Sequence, residues 1–130
     1  MHGHGKLTNE INRTTYEGEW RGGKMHGQGV YLWDDGRRYQ GQYEDDKKKG
    51  FGAYMWADGR VYYGMWKDGR QHGEGTTVLP SMQMTKAFWE AGKETTPLEL
   101  SQTERSEITE YVQVMQKERA RLIREGQIRR

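Results

Sequence analysis

The sequence predicts a mainly β fold: an elongated single antiparallel β-meander of 23-residue hairpin repeats, followed by a C-terminal amphipathic α-helix. Three observations predict it. From Tyr16, Tyr39 and Tyr62 the chain repeats one pattern with a period of 23 residues, and fixed aromatic and glycine positions at a short period mark a repeat architecture. Within each copy aromatic and polar residues alternate at the period of a strand. After residue 100 that alternation gives way to helical spacing, opened by the capping signature Ser101-Gln102-Thr103-Glu104.

Taken in order, residues 1–15 read as the tail of an earlier repeat. His2-Gly3-His4-Gly5 resembles His26-Gly27-Gln28-Gly29, with one residue inserted before the next tyrosine. The chain thus opens mid-repeat, as expected either of a piece of a longer array or of an edge that a partner or a cap covers. In the first full copy, Tyr16, Gly18 and Trp20 share one strand face and Glu17 and Glu19 the other, a solvated face. In its second strand, Gly29, Tyr31 and Trp33 face one way and Val30 and Leu32 the other, so the second face is not purely polar. The glycine-rich stretch between the strands is a turn signal, and Asp35-Gly36 and Asp58-Gly59 are hairpin signals. Of the chain's 18 glycines, 14 lie between Gly18 and Gly75, which ties glycine to the repeat. There it seats rings against the backbone or supplies left-handed turn conformations.

The fourth copy is degenerate. Thr85 to Lys93 aligns with Tyr62 to Arg70, keeping Trp89 and Gly92, while Leu79-Pro80-Ser81-Met82 replaces the Asp-Gly turn. Thr85 to Trp89 is expected to be the final edge strand, protected by its proline-bearing approach and Lys86. The repeat sheet then spans 16–93, residues 94–100 form a linker, 101–126 the helix and 127–130 a basic tail. The helix carries Ile108, Tyr111, Val112, Met115, Leu122 and Ile123 at helical spacing, Glu104, Glu107 and Glu110 early, and Lys117, Arg119, Arg121 and Arg124 late. That order suits the helix dipole, and Gly126 is a stop signal.

Composition bounds the function. The apolar fraction is 32% and the charged fraction 31%, thin material for a thick core, but 5 Trp and 8 Tyr argue against disorder. A net charge of +2 gives no case for nucleic acid. Without cysteine there is neither a disulfide framework nor a thiolate metal site. No apolar run reaches the ~20 residues of a membrane span, and the N-terminus lacks the pattern of a secretory signal. An intracellular location is expected, and the sequon at Asn12-Arg13-Thr14 is then idle.

The pattern Tyr-x-Gly-x-Trp, a glycine turn, His-Gly-x-Gly and then Asp-Gly resembles the membrane occupation and recognition nexus (MORN) repeat. The resemblance covers residues 16–79, with degenerate extensions to about residue 93 and back to residue 2. It implies an elongated sheet of hairpins with an aromatic-lined groove, and a scaffolding role in cytoskeletal, ciliary, flagellar or cortical assemblies. Two departures stand out. Asp46 and Lys49 replace glycine and histidine in the second copy, which puts that turn's conformation in question. The third copy lacks its Asp-Gly, which suggests that the array ends there.

Several motifs are by-products of the repeat. Gly18 to Lys24 nearly spells a phosphate-binding loop, but Met25 stands where a magnesium-binding hydroxyl is needed, and no helix follows. His26 and His72 occupy one repeat position, so a stacked sheet would hold them about 19 Å apart, beyond the reach of one zinc ion. Ser81, Ser101 and Ser106 have no His or Asp placed beside them. No catalytic residue, metal or cofactor is expected.

The expected function is therefore a non-catalytic protein–protein interaction scaffold. Its groove comprises Tyr16, Trp20, Tyr31, Trp33, Tyr39, Tyr43, Tyr54, Trp56, Tyr62 and Trp66. Ile108, Tyr111, Val112, Met115 and Leu122 form a second docking face on the helix, which either folds back into the groove or projects toward a partner or second copy. Protein partners in a larger assembly follow, with self-association through the open edge or the helix. The alternative is a peripheral membrane binder that meets anionic lipid through Lys47, Lys48, Lys49, Lys117, Arg119, Arg121 and Arg124, since each basic residue near such a surface contributes about 1 kcal/mol.

Overall fold

Every strand of the molecule hydrogen-bonds to its neighbours in sequence, giving one open antiparallel sheet. The computed structural model describes residues 2–129. Its strands are β1 (Gly3–Asn9), β2 (Thr14–Arg21), β3 (Lys24–Trp33), β4 (Arg38–Glu44), β5 (Lys47–Met55), β6 (Val61–Lys67), β7 (Arg70–Val78), β8 (Met84–Glu90) and β9 (Lys93–Leu98), followed by the helix α1 (Gln102–Arg124). The sheet order is β1 to β9 without a crossover, the mainly β meander that the repeat predicts.

The hairpin turns keep the period beyond the tyrosine-led copies. Gly22-Gly23, Asp45-Asp46, Asp68-Gly69 and Ala91-Gly92 all have positive φ at both residues. A two-residue turn of that kind matches the right-handed twist of its strands. Asp46 thus holds the conformation its glycine counterparts hold. Its carboxylate Oδ1 accepts from the Met25 amide at 2.7 Å, and its own amide donates to the Met25 carbonyl at 3.0 Å. Aspartate tolerates the left-handed region when its side chain finds such a local donor.

Two expectations at the C-terminal end are corrected. The array does not stop where the Asp-Gly is lost. The Leu79 amide donates to Gln83 (2.9 Å) and the Met82 amide to Leu79 (2.8 Å), the same pair that Trp56–Arg60 and Gly59–Trp56 make. Met82 adopts a φ of 73° where Gly59 has 96°. Nor is Thr85–Trp89 the edge: it lies inside β8, and most of the expected 94–100 linker is β9, with Pro97 opposite Ala87. Proline misled because it removes a backbone donor, yet an outermost strand has a side that needs none.

α1 begins with a complete capping box. Ser101 Oγ accepts from the Glu104 amide at 3.1 Å, and Glu104 Oε1 accepts from the Ser101 amide at 3.1 Å. It ends with Gly126 and Gln127 amides donating to Ile123 and Leu122 carbonyls, the doubled closure that a left-handed residue after a helix permits. Of the expected 127–130 tail, the described residues are not free. Ile128 is buried, and Arg129 binds Asp34 through its amide (2.7 Å) and guanidinium (2.9 Å). Arg130 of that segment and Met1 of the partial first repeat lie outside the described residues.

The sheet buries a different layer on each face. One holds Ala53, Met55, Val61 and Val78 against Ile108, Val112 and Met115 of α1, with Tyr63, Met84, Leu100 and Tyr111 around them. The other holds the aromatic rings. At 23 residues α1 is about 35 Å long, close to the roughly 38 Å across nine strands. It runs across the sheet from Lys86 on β8 at its start, and the segment after it reaches Asp34 beside β3 through Arg129.

Candidate partner-binding face

The aromatic face is built on a glycine ladder. Gly5, Gly18, Gly29, Gly41, Gly52, Gly64 and Gly75 are successive cross-strand partners, followed by Ala87 and Pro97. On this floor lie the rings of Tyr16, Tyr39 and Tyr62. Each hydroxyl donates to the carbonyl three residues on, at Glu19 (3.0 Å), Gln42 (2.9 Å) and Met65 (2.8 Å). A side chain on Gly29, Gly52 or Gly75 would occupy the space of that ring. Three indoles add rungs: Trp20, Trp66 and Trp89 donate to the carbonyls of Gly5, Gly52 and Gly75 at 3.1, 3.0 and 3.3 Å.

The rings then touch edge to face in one continuous series: Trp20, Tyr16, Tyr43, Tyr39, Trp66, Tyr62, Trp89. Centroid separations run from 5.0 to 5.5 Å. This is the arrangement that ring quadrupoles favour, worth about 0.5–1.5 kcal/mol per pair beyond burial. A second row, Tyr31, Trp33, Tyr54 and Trp56, runs beside it with neighbours 4.5 to 5.9 Å apart. The Arg37 and Arg60 guanidiniums stack over Trp33 and Trp56 at 4.9 and 5.0 Å, each held by its own turn carboxylate, Asp35 or Asp58.

All ten predicted aromatics therefore lie on one face, but they divide. Tyr16, Tyr39, Tyr43, Tyr62 and Trp66 are buried, whereas Trp20, Tyr31, Trp33, Tyr54 and Trp56 are half-buried and present ring surface outward. Burial pushes the Tyr16 hydroxyl up to about 12, helped by Glu19 and Asp46, and raises those of Tyr39, Tyr43 and Tyr62 further. At the first repeat a cleft of about 270 Å³ opens between Leu7, Tyr16, Trp20, Met25 and Tyr31. Sequence reasoning missed Met25 and Trp89, both packed against the rings. The 23-residue register offers both, because Met25 faces Trp20 and Trp89 aligns with Trp66.

The helix residues are placed otherwise than expected. Ile108, Val112, Met115 and Leu122 are buried and Tyr111 half-buried, but against the face opposite the rings. α1 neither fills the aromatic groove nor projects, and its apolar side is spent inside the molecule. Val30 and Leu32 were the signal for this: an apolar second face needs a cover. Glu19 is likewise more than part of a solvated face, since its carboxylate accepts from the Gln28 amide at a β-bulge, as Gln42 does from Phe51 at 3.1 Å.

The seven basic residues do not form one patch of free charge. Lys49 pairs with Glu44 at 2.5 Å, Arg121 with Glu118 and Glu125, and Arg119 donates to the Ala57 carbonyl. Lys48 turns onto the aromatic face, while Lys47, Lys117 and Arg124 stay exposed. Among the described residues no three His, Asp or Glu side chains group as metal ligands would, and no helix is long and apolar enough to cross a membrane.

Comparison with known families accords with this geometry. No curated protein matches the chain significantly. The family model of the MORN repeat matches three times, at residues 16–37, 39–59 and 62–81, and each match starts at or next to a tyrosine that lies on the glycine ladder. With those three in-register matches and an open meander of hairpins beneath them, the chain belongs to the MORN repeat family.

Proposed function

We propose that this chain is a non-catalytic scaffold that grips a partner protein's segment on its aromatic face, in keeping with a repeat family whose members generally serve protein or lipid interaction. One observation carries the reading: the molecule's own amphipathic helix covers the opposite face and leaves Tyr31, Trp33, Tyr54 and Trp56 half-exposed. A contiguous row of large rings at a surface is the usual mark of a docking site, and tryptophan and tyrosine are favoured anchors there. The proposed setting is an intracellular cytoskeletal, ciliary or flagellar assembly, which rests on the repeat family alone. Docking is assigned to the rings rather than to α1, whose apolar side is already buried.

The test is a Trp33→Ala/Trp56→Ala variant, followed for retention of the partners that copurify with the native chain. Both residues lie at the margin of the ring cluster, so the fold survives, as near-ultraviolet circular dichroism would show. Loss of at least tenfold in partner retention is expected, since anchor residues contribute about 2 kcal/mol or more each. Undiminished retention by the folded variant refutes the reading.

A further inference from the structure

The second repeat departs from its siblings at one position of the aromatic face. Lys48 stands where the 23-residue register places Met25 and Gln71, and it pairs across the strands with Tyr43 as they pair with Trp20 and Trp66. Its ammonium lies 5.3, 5.6 and 5.5 Å from the ring centroids of Tyr39, Tyr54 and Trp66. Those rings belong to both aromatic rows, so the cation sits between them.

This cation differs from the other two on the face. Arg37 and Arg60 each have a carboxylate at 2.9 Å. Lys48 has none within ion-pair distance among the described residues, and burial lowers its pKa. Removing an ammonium from water without a counter-ion is unfavourable. Ring faces compensate in part, most strongly where water is excluded. What the arrangement lacks is an anion, and the half-buried side chain leaves one side open to receive it.

We propose that Lys48 receives the carboxylate of an Asp or Glu in an extended peptide segment laid across the aromatic face. This rests on the scaffold reading above and names the chemistry of its partner. One repeat is two strands wide, about 9.6 Å, close to three residues of extended chain at roughly 3.3 Å each. A segment of about nine residues thus crosses the three tyrosine-led repeats and meets Lys48 near its middle, with apolar side chains against the half-buried rings. Anionic lipid is the poorer match. A membrane surface engages several adjacent cations, whereas Lys48 is recessed between rings, and its neighbour Lys49 is paired with Glu44.

The experiment selects a phage-displayed library of random nine-residue peptides on the native chain and on Lys48→Met, Lys48→Glu and Lys48→Arg. Methionine is the residue of the first repeat at this position, so that variant keeps a side chain the fold already accepts. Peptides from the native chain are expected to carry Asp or Glu at one central position. They should bind Lys48→Met about tenfold more weakly, the scale of one charge-assisted contact, and Lys48→Arg nearly as well as the native chain. Selection on Lys48→Glu should lose the acidic preference. If selected peptides depend on Trp33 and Trp56 but carry no acidic preference, this proposal fails while the scaffold reading stands. Peptides indifferent to Trp33 and Trp56 overturn the scaffold reading itself. Lys48-dependent sedimentation with phosphatidylserine vesicles, with no acidic peptide selected, overturns the peptide in favour of lipid.

Discussion

At the scale of single residues, the fold depends on glycines that are needed for the space they leave. Gly52 has an ordinary negative φ, so its backbone would accept alanine, but the new methyl would overlap the hydroxyl and ring of Tyr39. Gly52→Ala is therefore expected to destabilise the chain by about 1–3 kcal/mol, the usual range for overpacking. Gly22→Asn, at a turn with nothing within 4 Å and a φ of 57° that asparagine tolerates, should stay within about 0.5 kcal/mol. Urea denaturation of the two variants distinguishes them. The seated tyrosines also make a pH prediction. Their raised pKa values mean that the folded state favours the neutral phenol, so the stabilisation is complete below pH 10 and declines as pH rises toward the folded values. Tyrosinate absorbance at 295 nm should show a part that appears only together with loss of near-ultraviolet circular dichroism, between pH 10 and about 12 or above. A full tyrosinate signal from folded protein would contradict the seating.

At the scale of elements, α1 is fixed to the sheet at its first turn as well as along its apolar side. Lys86 Nζ on β8 lies 2.7 Å from Glu104, the capping-box residue, and 3.1 Å from Glu74 on β7. The Lys86 ammonium holds the Glu104 carboxyl below its ordinary value of 4.5. A depressed carboxylate pKa gives stability that is present above the ordinary value and lost as pH falls through the folded one. Lys86→Met should thus melt lower than the native chain at neutral pH, and the gap should shrink below pH 4.5. Val112 is 1% exposed between helix and sheet, so Val112→Ala should cost about 2 kcal/mol at either pH. The strands and the helix were legible in the sequence because period-two alternation and a capping box are local signals. The face that α1 would cover was legible only by implication, in Val30 and Leu32, since which side a helix returns to is a tertiary choice. β9 was hidden because Pro97 and the short Thr95-Thr96 run look like a break unless the strand is known to be outermost. The ten rings could be placed on one face, but not sorted into seated and accessible, because that depends on which tyrosine leans over the glycine ladder.

At the scale of the whole molecule, a meander in which each strand touches only its neighbours should behave as a one-dimensional stack, its stability a sum of repeat and interface terms. Such stacks can lose all-or-none unfolding as units come apart separately. α1 opposes this, because it crosses the strands. Its start is bonded to Lys86 on β8, its middle packs on Ala53, Met55, Val61 and Val78, and Arg119 reaches the Ala57 carbonyl in the β5–β6 turn. The segment after it ties Arg129 to Asp34 in the β3–β4 turn. One helix thereby gives every tyrosine-led repeat a common partner. The full chain is expected to unfold in a single transition, with tryptophan fluorescence from the ring face coincident with far-ultraviolet circular dichroism. Truncation after residue 100 should lower the midpoint, reduce the denaturant slope and separate the two probes, since the repeats then communicate only through strand pairing. It should also expose Met55, Val61 and Val78 and bind a hydrophobic dye that the full chain does not. Coincident, steep transitions in the truncated chain would mean that ring-to-ring contact across the repeats is sufficient for cooperativity, and that α1 serves only to cover the apolar face.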